Sequence, residues 1–203
     1  MRFLSIVLIL LLAVSGCCAE ECAELPDVTA ITDAASFASA CTALDESCVF
    51  TEVPSGIALD DAAFGRLIAE GSGVAFIADP ADPACRLLAP VLFAQMATNN
   101  SVIQLYLPDD PADCDGLMKR VIEGGISITG NKPLAESLAE SGELPLGAVL
   151  YMKEGKITAM HMATLKNHEE LPAALTEEDA ASISDMLQFQ LDKLLSGSCE
   201  TGC

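Results

Sequence analysis

The chain has 203 residues, with 30 acidic side chains against 10 basic ones and a formal net charge of −20. Such a charge repels polyanions, which excludes a nucleic-acid binder built on Lys and Arg clustered against phosphate. Hydrophobic residues make up 51% of the chain while Trp is absent and aromatics are only 4%, so an ordered core resting on Ala, Leu, Ile and Val is expected.

Arg2 followed by a mainly apolar run from Phe3 to Val14 reads as a signal peptide over residues 1–16, too short to span a membrane. Val14-Ser15-Gly16-Cys17 resembles the lipobox of bacterial lipoproteins, which implies lipid on Cys17 and an exported protein held at the cell envelope. The alternative is cleavage after Ala19, giving a soluble secreted protein. Without Arg2 the mature chain has 30 acidic and 9 basic residues, a net charge of −21, so membrane contact is expected only through the lipid anchor.

Nine cysteines in an exported chain argue for disulfides. If Cys17 carries lipid, an even set remains: Cys18, Cys22, Cys41, Cys48, Cys85, Cys114, Cys199 and Cys203. Sequence does not choose among their pairings. Their spacings fit no zinc pattern, and neither a metal nor a cofactor is expected.

Residues 17–48 form a Cys-rich acidic lead segment, with a short helix over Asp33 to Leu44 and with Cys41 and Cys48 closing a small loop that would tie down a tether. Cys48 to Val53 is a β-rich run. Asp60 or Asp61 caps a helix whose Phe64, Leu67 and Ile68 share a face, and Gly71-Ser72-Gly73 ends it. Val74 to Ala78 is a buried strand. A long helix from about Ala84 to Thr98 turns Leu87, Leu88, Val91, Leu92 and Met96 to one side, and Val102 to Leu107 is a parallel strand beside the previous one. The region Pro108 to Gly142 holds two short helices, Cys114 to Glu123 and Pro133 to Glu140. Ala148 to Met152 and Lys156 to Thr164 form an antiparallel hairpin through Lys153-Glu154-Gly155. A last helix starts at Thr176 with a capping-box pattern and buries Ile183, Met186, Leu187, Leu191 and Leu194. Residues 197–203 are a flexible tail carrying Cys199 and Cys203. The pattern implies an α/β three-layer sandwich, a mixed sheet closed by a C-terminal antiparallel hairpin.

Over residues 49–196 this order resembles the thioredoxin family. The likeness rests on Val74-Ala75-Phe76-Ile77-Ala78, on Cys85-Arg86-Leu87-Leu88-Ala89-Pro90 with a helix-kinking proline, on Leu144-Pro145 as the approach to a cis-proline, and on the hairpin Tyr151 to Lys156. The resemblance implies a site at the start of the long helix, where helix dipole and free amides favour a thiolate. That position reads Asp82-Pro83-Ala84-Cys85: Asp82 replaces the attacking cysteine, and Cys85 keeps the resolving position. Ala75 stands where the family buries an Asp, and Pro80 or Ala81 where it carries Trp.

Two functions from different classes follow. The first is a non-catalytic binding or structural module, using Asp79, Asp82, Pro83, Ala84 and Pro145 as an active-site-like edge for a protein or peptide partner. The second is a thiol–disulfide oxidoreductase or isomerase acting through a partly exposed Cys85, with Cys114 on the neighbouring loop as its partner. Met160-His161-Met162 does not make a copper site, because strand alternation points His161 away from both methionines, which leaves core methionines beside a surface histidine.

Overall fold

The computed structural model describes residues 30–108, 117, 127–130, 146–162 and 172–196. Helix α1 spans Ala34–Leu44, strand β1 Gly56–Leu59, helix α2 Asp61–Glu70, strand β2 Gly73–Ile77, helix α3 Pro83–Thr98 and strand β3 Ile103–Tyr106. Strand β4 follows at Ser127–Gly130, β5 at Ala148–Lys153 and β6 at Lys156–Met162, and helix α4 closes the order at Glu177–Ser196. The six strands form one sheet in the order β1-β3-β2-β5-β6-β4. Strands β1, β3 and β2 run parallel, β5 is antiparallel to β2 and β6, and β4 is parallel to β6. The chain is therefore an α/β protein with a mixed sheet.

Alternation along the strands feeds two cores on opposite faces of the sheet. Val74, Phe76, Ile103, Leu105, Val149 and Tyr151 turn toward α1, α3 and α4. Ala75, Ile77, Tyr106, Leu150, Met160 and Met162 turn the other way, where Phe64, Leu67 and Ile68 of α2 cover them. On the first face the Phe37 ring lies edge-on to Phe76 at 6.0 Å and 5.9 Å from Phe93. On the second, Phe64 stacks on Tyr106 at 3.9 Å, and the Tyr106 hydroxyl donates to Asp61 Oδ1 at 2.9 Å.

Local chemistry sets the helix ends. Asp33 caps α1 in a reciprocal box with Ser36, and Asp60 caps α2 by accepting from the Ala63 amide at 2.7 Å. Thr176 and Asp179 bond each other's backbone amides at the start of α4, at 3.2 and 3.1 Å. The side chains of Asn99 and Gln188 then bond across the α3–α4 contact. The β5–β6 hairpin turns through Glu154 and Gly155, both with positive φ (50° and 71°), as a two-residue primed turn demands. Its tip is latched to the end of α2: Gly155 donates to the Gly71 carbonyl at 2.8 Å, and Glu154 to Ser72 Oγ at 2.8 Å.

Four sequence expectations are corrected. Helix α1 is no tether, since Ala34, Phe37, Ala38 and Cys41 belong to the main core. The first strand is not Cys48 to Val53, which is irregular, but Gly56–Leu59, whose pairing with β3 satisfies its backbone. Strand β4 lies inside the region read as helical insertion and loop. His161 is fully buried, because both faces of the sheet are covered and alternation moves it from one core to the other without exposing it. The expected helices Cys114 to Glu123 and Pro133 to Glu140 fall outside the described residues, except that Leu117 is helical and buried.

Burial holds the His161 imidazole down to about 4 from its ordinary 6.5. The unfolded chain therefore takes up a proton between those values and the folded chain does not. Stability is complete above pH 6.5 and falls as pH drops toward 4, by about 3 kcal/mol from this group. Urea denaturation of the wild type and a His161→Gln variant at pH 7.5 and pH 4.0 measures the term by difference; a gap that does not change with pH refutes it.

Candidate functional site

Strand β2 ends at Ile77, and the chain crosses to α3 through Ala78 to Asp82. The Ala78 amide is still held by the Tyr106 carbonyl at 2.9 Å, so the loop leaves from the middle of the sheet. Asp79 folds it: Oδ1 accepts from the Ala81 amide at 2.7 Å, and the Asp79 carbonyl accepts from the Asp82 amide at 3.1 Å. Asp82 is the N-cap of α3, its Oδ1 accepting from the Cys85 amide at 2.8 Å, and Pro83 fills the first helical position, where no amide hydrogen is required. Arg86, one turn along, reaches back and donates through one guanidinium nitrogen to the Pro80 and Ala81 carbonyls, both at 2.8 Å. The loop is thus fixed from both ends.

Cys85 lies beneath this loop with no exposed surface. Its sulfur accepts from the Asp79 amide at 3.4 Å and faces the Ile77 carbonyl at 3.9 Å. Gly147, at φ 75°, closes over it, and a side chain there would stand 3.8 Å from the sulfur. Burial, then the Asp82 carboxylate, pushes the Cys85 thiol well above its ordinary value, while the bond from the Asp79 amide opposes both. The expected partial exposure of Cys85 is corrected by this burial. A carboxylate occupies the cap and a protonated sulfur is sealed below it, an arrangement that stabilises the helix start and offers no nucleophile.

The edge expected from sequence assembles in part. Asp79, Asp82, Pro83, Ala84 and Cys85 come together at the start of α3, where Ala84 and Cys85 lie against Gly147. Pro145 and Cys114 lie outside the described residues, as do Cys17, Cys18, Cys22, Cys199 and Cys203. Cys41 and Cys48 meet on the α1 side of α3, both unbridged and buried. Sequence reading missed Arg86, which ties the loop down and stands 3.9 Å from Asp45 through Nε. It also missed the link between Pro90 and Cys48. Lacking an amide hydrogen, Pro90 leaves the Arg86 carbonyl without its helical donor, and the Cys48 thiol takes it at 3.4 Å. Beside these groups lies a cleft of about 470 Å³ between the α1–β1 loop, the first turns of α3 and the start of α4.

Among the described residues no cluster of His, Cys, Asp or Glu is arranged to hold a metal, and no helix is long and apolar enough to cross a membrane. Comparison with protein-family models, curated proteins and solved structures finds no match to this chain.

Replacing the cap, Asp82→Ala, is expected to destabilise the protein by about 1 kcal/mol, measured by urea denaturation. In the native wild type Cys85 is expected to resist alkylation that it undergoes after unfolding. Peptide mass mapping reads this out, and rapid native labelling of Cys85 contradicts the burial.

Proposed function

We propose that this chain is an exported thioredoxin-like module, anchored at the bacterial envelope by lipid on Cys17, that binds a protein or peptide partner along the Asp79–Cys85 edge and runs no dithiol cycle there. The observation that carries the reading is Asp82: the position where exchange chemistry requires an attacking sulfur holds a carboxylate whose oxygen is committed to the Cys85 amide. The strand order β1-β3-β2-β5-β6, with β5 antiparallel and a helix after β2, supports the thioredoxin-like reading, β4 being an addition at the far edge. Pro90 inside α3 and Gly147 against Cys85 fit it as well. An edge pinned by Asp79, Asp82 and Arg86 presents a fixed surface, the form in which a disused catalytic rim serves recognition with little ordering cost.

In a dithiothreitol-driven insulin reduction assay the wild type is expected at background rate. Asp82→Cys, which restores sulfur at the helix tip, is expected to raise the rate at least about tenfold if the scaffold retains the geometry. Wild-type activity that disappears in Cys85→Ala overturns the reading in favour of an oxidoreductase. Anchoring is tested separately: cells fed a labelled fatty acid should label the wild type and not Cys17→Ala.

A further inference from the structure

Apart from that edge, two thiols are held together by a local fold. Cys41 sits in the last turn of α1 and Cys48 just beyond the helix end. The intervening chain doubles back: the Asp45 amide donates to the Cys41 carbonyl at 3.0 Å, the Cys48 amide to the Asp45 carbonyl at 2.9 Å, and Thr42 Oγ1 to the Cys48 carbonyl at 2.9 Å. These bonds fold Cys48 back against the last turn of α1, and both cysteines belong to the same buried cluster. Their surroundings differ. Cys41 has no exposed surface, whereas Cys48 is 6% exposed and lines the cleft beside Arg86 and Asp45.

We infer that Cys41 and Cys48 form a site that takes up oxidising equivalents from a small disulfide entering the cleft, Cys48 being the entry sulfur and Cys41 the resolving one, and that the resulting bond is kept. The Cys48 thiolate attacks one sulfur of the incoming disulfide, forming a mixed disulfide and expelling one thiolate, which takes the proton Cys48 gave up. The deprotonated Cys41 sulfur then attacks Cys48 Sγ, forming the internal bond and expelling the second thiolate, which takes the Cys41 proton. Two protein thiols become one disulfide, and the incoming disulfide becomes two thiols.

The geometry argues for retention. Reversal must either strike the inaccessible Cys41 sulfur or expel it from Cys48, and burial pushes the Cys41 thiol up to about 12, which makes it a poor leaving group. Burial, then the Asp45 carboxylate, raises the Cys48 thiol as well, which slows its entry step, and the nearby Arg86 guanidinium opposes the rise at both sulfurs. Oxidation also removes the S–H that Cys48 gives to the Arg86 carbonyl, which solvent in the cleft must then satisfy.

The probe is glutathione disulfide, added to the reduced, folded full chain before alkylation, digestion and mass mapping. The expected product is a Cys41–Cys48 cross-linked peptide without retained glutathione, with a thermal midpoint about 5 °C above that of the reduced protein. Cys41→Ser should keep one glutathione on Cys48, and Cys48→Ser should leave Cys41 unmodified. In the native wild type dithiothreitol should open the bond at least about tenfold more slowly than in urea. Free alkylation of both thiols, a bond from either one to another cysteine, or glutathione on Cys41 in Cys48→Ser overturns the proposal. Equal opening rates overturn retention. If Cys41→Ser does not fold, Cys41→Ala replaces it, and the wild-type cross-link map decides.

Discussion

The central strands β2 and β5 are buried on both faces, and that constraint organises the molecule. In β2 every residue after Gly73 is buried, and in β5 every residue before Lys153. A strand with two apolar faces is stable only if helices cover both. Phe64, Leu67 and Ile68 of α2 close one side. Closing the other takes α3 and α4, with α1 filling the space beside Phe76 and Phe93. Once α3 lies across that face, its N-terminus must emerge where β2 ends, so the position of the Asp79–Cys85 edge follows from the packing and owes nothing to the chemistry it hosts.

What that edge hosts is governed by charge and desolvation. A helix N-terminus offers free amides and a positive dipole end, and either a thiolate or a carboxylate can use them. Here the carboxylate of Asp82 takes the Cys85 amide, and its negative charge, added to burial, keeps the sulfur beneath protonated. Arg86 follows a similar logic. Its guanidinium closes the loop carbonyls while its own carbonyl, bereft of a helical donor through Pro90, accepts the Cys48 thiol. One residue thus joins the loop before α3 to the segment after α1.

Much of this was legible in the sequence wherever a local signal coincided with a strong pattern. Asp60 or Asp61 before Phe64, Leu67 and Ile68 gave the start and inner face of α2, and Thr176 with Asp179 gave the start of α4. Glu154-Gly155 between two apolar runs located the hairpin. The misses share a cause, dependence on distant partners. Helix α1 is mostly Ala, Ser and Thr, with Phe37 and Leu44 as its large side chains, so its place in the core shows only once Phe76 and Phe93 surround the Phe37 ring. Ser127 to Gly130 becomes a strand by pairing with β6, some thirty residues on, and its four residues alone announce nothing. The run Cys48 to Val53 has β-like composition but no neighbouring strand to bond. His161 was misplaced for a different reason: alternation correctly separated it from Met160 and Met162, but period two says which face a residue takes and not whether that face is wet.

The latch at the β5–β6 turn also bears on how the chain could be altered. A hairpin tip is ordinarily where a protein accepts foreign sequence, since its backbone is solvated and little rests on it. In this protein Gly155 presses so closely on the Ala69 carbonyl that a single added methyl collides with it, and both turn amides are spent on the end of α2. An epitope tag or circular-permutation break grafted there would pry a helix off the sheet, so such grafts belong at some other loop.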